Sequence, residues 1–264
     1  MDQLQINMWQ TIKRLCAPLD GDCIRLLPLI IVVLLWQISG YYSDNKILPQ
    51  PSAILNLLQK ETFEGDLMFH LGMTLRRVAI SFLAAMILGI LIGLAMGIYD
   101  AVDKALDTFL VIGLNIPALV IIIICYIWFG LTEYAAIIAV TINKVPMVAI
   151  SLREGARALD NKLFQVAQVY HLSKFDIMTK IVLPQLLPYI FGAVRNGLAI
   201  IWKIVLVVEL LGCSNGVGFQ IGGYFHFFDI SGVLAYTFAF MLVVFAIEVL
   251  ALRPIEKYLL RWRS

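Results

Sequence analysis

The sequence predicts an all-α membrane protein with six transmembrane helices and a short helix in water between the fourth and the fifth. Composition is the first observation: of 264 residues, 61% are hydrophobic and 14% charged, whereas soluble domains run at roughly 25% charged and 45–50% apolar. Mean hydropathy is +0.89. The second is a set of six runs near the roughly 20 apolar residues that a bilayer requires. The third is one charged stretch inside the otherwise apolar second half, Arg153–Lys180, where Arg153, Arg157, Lys162, Lys174 and Lys180 stand against Glu154, Asp160 and Asp176.

The whole of 1–264 is expected to form a single transmembrane domain. Span one covers residues 24–40, entered after Lys13, Arg14 and Arg25 and left through the aromatic run Trp36–Tyr42; it lacks the small-residue cleavage site of a signal peptide. Span two covers 74–99, where Gly89, Gly93 and Gly97 repeat every four residues and fall on one face that another helix can approach closely. Span three covers 106–131, interrupted by Pro117, and span four covers 134–152, interrupted by Pro146. A proline inside a span removes one backbone hydrogen bond, which neighbouring helices or water must compensate. Spans five and six cover 183–211 and 230–252.

The basic residues set an orientation. With the N-terminus inside, inner segments hold Lys13, Arg14, Arg25, Lys104, the five basic residues of 153–180, and Arg253, Lys257, Arg261 and Arg263, whereas outer segments hold Lys46, Lys60, Arg76 and Arg77. Thirteen against four places both termini in the cytoplasm. Arg76, Arg77 and the acidic corner Asp100–Asp103 run against that count. The net charge of +2 comes from scattered residues, which argues against a nucleic-acid partner. Cys16, Cys23, Cys125 and Cys213 form no CxxC pair and have no histidine at metal-ligand spacing, so no metal site is expected.

Within the charged stretch, apolar or small residues recur at Leu163, Val166, Ala167, Val169, Tyr170 and Leu172, interleaved with Gln165, Gln168 and His171. That period predicts a short amphipathic helix, followed by a turn that Ser173 is placed to cap. A helix of about ten residues is marginal alone in water, so its apolar stripe must pack on something. The residues allow a helix lying on lipid or a docking helix for a partner.

Gln165-Val166-Ala167, three residues, His171, then nine residues to Ile181-Val182-Leu183-Pro184 resembles the EAA loop of the permease subunits of type I ABC importers, whose pattern is E-A-A, three residues, G, and I-x-L-P. Gln165 stands where that family usually has Glu, and His171 where it has Gly. Ile47-Leu48-Pro49-Gln50-Pro51-Ser52, Asn115-Ile116-Pro117-Ala118 leading to Ile127-Trp128-Phe129-Gly130, and Val208-Glu209-Leu210-Leu211-Gly212 before Gly216-Val217-Gly218-Phe219 extend the resemblance to the branch importing taurine, aliphatic sulfonates, nitrate or bicarbonate. A second proline expected in span three is replaced by Ile121–Ile124, and Cys213-Ser214-Asn215 separates Glu209 from the glycines.

The resemblance implies a type I ABC importer permease fold in a bacterial inner membrane, multi-pass, whose second copy completes a translocation path. It implies two cytoplasmic ABC ATPase subunits, each receiving a coupling helix through Leu163, Gln165, Val166, Ala167, Val169, Tyr170, His171 and Leu172. A periplasmic or lipid-anchored substrate-binding protein would deliver the substrate. ATP and magnesium would belong to the ATPase, and no cofactor is expected on this chain, which lacks a GxxxxGK[ST] phosphate loop. The chain is therefore expected to be a transport subunit and not an enzyme.

Intramembrane polar residues mark cavities or partners. Lys203 lies deep in span five and is the candidate for attracting an anion, with pairing to an acidic neighbour as the alternative. Asn143 and Lys144 add a second polar point; Lys144 with Lys203 would make the path electropositive. Arg195 is expected to snorkel to lipid phosphate. Asn115, Pro117 and Glu209 join the path or its outer gate on the strength of the resemblance. A small anion such as a sulfonate, taurine, nitrate or bicarbonate is the expected substrate, with a pyrimidine vitamin precursor as the alternative. A secondary transporter would need no EAA-like spacing, and a scaffold protein would show no flux.

Overall fold

The computed structural model describes residues 21–42 and 48–259, and in them every regular element is a helix. Helix α1 spans Gly21–Tyr42, α2 Pro51–Phe63, α3 Leu67–Ile98, α4 Asp100–Asn115, α5 Ala118–Phe129 and α6 Glu133–Arg157. Helix α7 is Asn161–Val169, α8 the single turn Lys174–Ile177, α9 Leu183–Gly212, α10 Val217–His226, α11 Ile230–Ile247 and α12 Arg253–Leu259. Ile47, the first residue of one quoted motif, lies outside the described residues.

Four continuous helical stretches are long and apolar enough to cross a membrane: Leu67–Ile98, Glu133–Arg157, Lys174–Gly212 and Ile230–Leu259. The pair α4 and α5 makes a fifth only if counted together, because it bends by 100°. The expected single span three is therefore corrected to two helices at nearly a right angle. Pro117 carries no amide hydrogen and drives Ile116 into extended backbone (φ −71°, ψ 125°), so the helix stops before it. Helix α1 contributes a shorter apolar stretch, Ile30–Tyr42.

Helices α3 and α6 form the most extensive pairing in the molecule, and the glycine face is the reason. A Cβ on Gly89 would sit 2.5 Å from Val148 Cβ, and one on Gly93 2.8 Å from Leu152 Cβ. Helix α9 packs across both, and α10 and α11 close the core around Ile201, Val205, Val208, Tyr236 and Phe240. Pro146 and Pro188 sit inside continuous helices.

Two π-helical turns, Met178–Val182 and Glu248–Leu252, lead into α9 and α12. Each ends two residues before a proline, Pro184 or Pro254. A proline cannot donate to the carbonyl four residues back and its ring crowds that carbonyl, so the preceding turn widens. The Leu183 amide accordingly bonds Met178 and the Arg253 amide bonds Glu248.

Candidate functional site

Helix α7 sits in the connection between α6 and α9, where the amphipathic period placed a helix, but over residues 161–169. Asp160 caps its start, accepting from the Lys162 amide at 2.8 Å. At its end the Leu172 amide donates to Ala167 O (2.9 Å) and the His171 amide to Gln168 O (3.1 Å), the paired bonds of a Schellman motif. His171 takes the left-handed conformation that closes this cap, with φ 46°. Ser173 caps the next turn as expected, accepting from the Asp176 amide at 3.1 Å.

Only Ala167 of this helix is buried, at 1% exposure. Leu163, Gln165, Val166, Val169, Tyr170 and His171 are exposed, and Leu172 is half-buried. Val169 and Tyr170 reach 76% and 74%, and Phe175 and Met178 extend the apolar surface beyond the helix. The Asp160 amide donates to Gln185 Oε1 at 2.9 Å, joining the start of α7 to the base of α9. The end of α6 is held by Arg153, which pairs with Asp107 (2.5 Å) and Asp103 (3.3 Å), and by Arg157, which pairs with Asp103 (2.5 Å). The acidic corner that ran against the orientation count is thus matched by these two arginines.

At the opposite end of α6 and α9 lies a buried polar network. Glu209, fully buried, binds Arg77 Nη1 through Oε1 at 2.7 Å. Its Oε2 accepts from the Thr74 hydroxyl (2.9 Å) and the Gly218 amide (2.8 Å). Arg77 also reaches Glu133 (2.7 Å), Asn215 O (2.9 Å) and Asn215 Oδ1 (2.5 Å), so all five guanidinium hydrogens find acceptors. The Val217 amide donates to Thr74 Oγ1 at 2.8 Å and the Gly216 amide to His70 Nδ1 at 3.0 Å.

The Gly216, Val217 and Gly218 amides at the start of α10 are therefore satisfied by buried side chains, and the Glu209 carboxylate lies at the positive end of that helix. Gly216 has φ 109°, and a Cβ there would strike the Glu209 carboxylate. Sequence reasoning missed Arg77, Thr74, His70, Glu133 and Asn215. The assignment of Arg77 to an outer loop by charge counting is corrected: it lies inside α3, 2% exposed. The signal available in sequence was the Arg76-Arg77 pair within one apolar helix and Glu209 as the sole acidic residue of another.

The remaining path candidates do not come together. Lys144 is 2% exposed and packs its Cε near Gly197, with Met147 Sδ as the hydrogen-bond partner of its amine. Lys203 is exposed on α9. The expected joint Lys144–Lys203 surface is corrected: Lys144 is buried, and Gly197, which it packs against, lies about 120° around α9 from the exposed Lys203. Asn143 is half-buried, and Asn115 and Pro117 are exposed at the α4–α5 bend. Arg195 pairs with Glu248 (3.6 Å) and Glu256 (3.3 Å).

Residues 85–253 match the family of binding-protein-dependent transport system inner membrane components. The chain belongs to that family. Among relatives, the permease is 32% identical to a putative aliphatic sulfonates transport permease protein of Bacillus subtilis, over 90% of this chain and 87% of the relative. It is 28% identical to the taurine transport system permease protein of Escherichia coli K12, over 89% and 87% of the two chains. Its fold matches a chain of the MetNI methionine ABC transporter in inward-facing conformations, with TM-score 0.64 and 16% identity, covering 75% of the permease and 98% of that chain. Among the described residues, no group of three or more His, Cys, Asp or Glu side chains could hold a metal ion.

Proposed function

We propose that the permease works as a homodimer with six spans per copy, α1 and the bent α4–α5 pair completing the six, and that α7 is its coupling helix. The observation that carries this is a nine-residue helix with one buried residue and an apolar face exposed at Leu163, Val166, Val169 and Tyr170, at the EAA-like position of a family member. A helix that short needs an outside surface to be ordered against. The occupant is a cytoplasmic ABC ATPase subunit, one per copy, which binds ATP and magnesium. Nucleotide-driven approach of the two ATPases moves the docked helices, and the attached spans alternate between inward and outward openings.

On this reading both termini lie in the cytoplasm of a bacterial inner membrane, and the Glu209 network lies at the outer end, where a substrate-binding protein delivers the cargo. The cargo is a small anion: relatives are named for aliphatic sulfonates and for taurine, and α9 carries a lysine on its exposed face. Copurification tests the docking. Val166→Glu or Val169→Glu is expected to release the ATPase while the permease stays folded in the membrane; retention of the ATPase by both variants defeats the coupling assignment.

A further inference from the structure

Helix α9 has one exposed face. Gly192, Asn196, Ala199, Lys203, Val207 and Leu210 are all exposed, and they fall within about 80° of one another around the helix. The opposite side, including Ala193, Gly197, Ile201, Val205 and Val208, is buried in the core. Lys203 is the single charge within that strip, with Arg195 exposed beside it, and makes no ion pair among the described residues. It stands nine residues, about 14 Å, from the Gly212 end of the helix. Near the other end, Arg195 is already occupied by Glu248 and Glu256.

A lysine and an asparagine directed at hydrocarbon inside a span cost several kcal/mol together, so such residues face water or another subunit. Asn196 and Lys203 are seven residues apart, two helical turns, and lie within about 20° of each other. Helical side chains lean toward the N-terminus, which brings the Lys203 ammonium back toward the Asn196 amide. A charged donor and a neutral donor on one wall suit an oxoanion, and the small residue Ala199 between them leaves the space open.

We propose that this face of α9 lines the translocation path and that Lys203 and Asn196 bind the transported oxoanion there. The proposal rests on the homodimeric importer reading, since a two-fold axis beside α9 would present two copies of the face to one path.

The test uses Ala199→Cys in a permease whose native cysteines have been replaced, assembled with its ATPase in proteoliposomes. Two water-borne thiol reagents of opposite charge serve as probes, sulfonatoethyl and trimethylammonioethyl methanethiosulfonate. The cysteine is expected to react, and faster with the sulfonate. Lys203→Gln should lower the ratio of sulfonate to ammonium rates by about tenfold, Lys203→Arg should preserve it, and Lys203→Glu should invert it. An unreactive cysteine, or a ratio unmoved by Lys203→Gln, overturns the proposal. Copurification of the ATPase reports on the α7 reading separately and is expected to be untouched by every Lys203 variant.

Discussion

His171 occupies the one backbone position in the α7 cap that L-residues, unlike glycine, avoid, with φ 46°. The left-handed conformation costs a non-glycine residue on the order of 1–2 kcal/mol, which explains physically why the family's pattern has Gly there. His171→Gly is expected to strengthen the cap and His171→Val to weaken it by about 1 kcal/mol. Amide hydrogen exchange at Leu172, whose N–H closes the motif onto Ala167, should slow in the first variant and quicken in the second; equal rates would remove backbone strain as the explanation. Arg77 offers a larger effect. Removing one partner of a buried pair leaves the other charge uncompensated, so Arg77→Leu is expected to destabilise the permease by about 3–5 kcal/mol. Adding Glu209→Gln should restore part of that loss, because the amide oxygen can still accept from the Gly218 amide without a charge; a strictly additive double variant in denaturant unfolding would contradict a functioning ion pair. Sequence made Glu209 and its glycines visible and left Arg77 hidden. The cause is distance along the chain: Arg77 meets Glu133 and Glu209 at separations of 56 and 132 residues, and no local pattern encodes such a meeting.

Helix-level organisation was more legible where it depends on period. The glycine repeat of α3 and the amphipathic repeat of α7 both follow from 3.6 residues per turn, and both appear at the expected faces. The bend between α4 and α5 was legible only as an interruption at Pro117, because proline ends a helix without stating the angle at which the next begins. Its 100° is set by packing of α5 on α6 and α9. The close approach of α3 and α6 gives a prediction with an internal control. Gly93→Val is expected to force the helices apart and lower the Tm in detergent by several degrees, as overpacking costs about 1–3 kcal/mol. Gly72→Ala, on the same helix with nothing within 4 Å of its Cβ, should hold or raise the Tm, since alanine favours a helix interior over glycine by about 0.5–1 kcal/mol. If both substitutions behave alike, helix propensity and not interhelical contact governs α3.

For the whole molecule, the coupling role proposed for α7 raises the question of how its movement would reach the spans. The helix itself has one buried residue, so a push on it passes through its two chain ends. At its N-terminal end Asp160 meets Gln185 at the base of α9, and the C-terminal turn of α6 just before it is tied to α4 by Arg153 and Arg157 through Asp103 and Asp107. Gly155, between those arginines, admits Tyr189 of α9, since a Cβ there would lie 2.8 Å from that ring. Helices α4, α6 and α9 thus meet at the root of the connection, and on the proposed coupling role α6, packed along α3, joins that root to the Glu209 network at the far end. The ion pairs are partly solvated, so each contributes only modestly to stability, and their value lies in fixing α4 to α6 while the spans move. In the variant Arg153→Gln/Arg157→Gln the apolar face of α7 is intact, so ATPase copurification should be retained. The number of anions taken up per ATP hydrolysed in proteoliposomes should fall by about two- to tenfold, the range of a coupling energy near 1 kcal/mol. Unchanged stoichiometry would mean that the stroke travels through α9 alone, and loss of the ATPase would mean that the arginines form part of the docking surface.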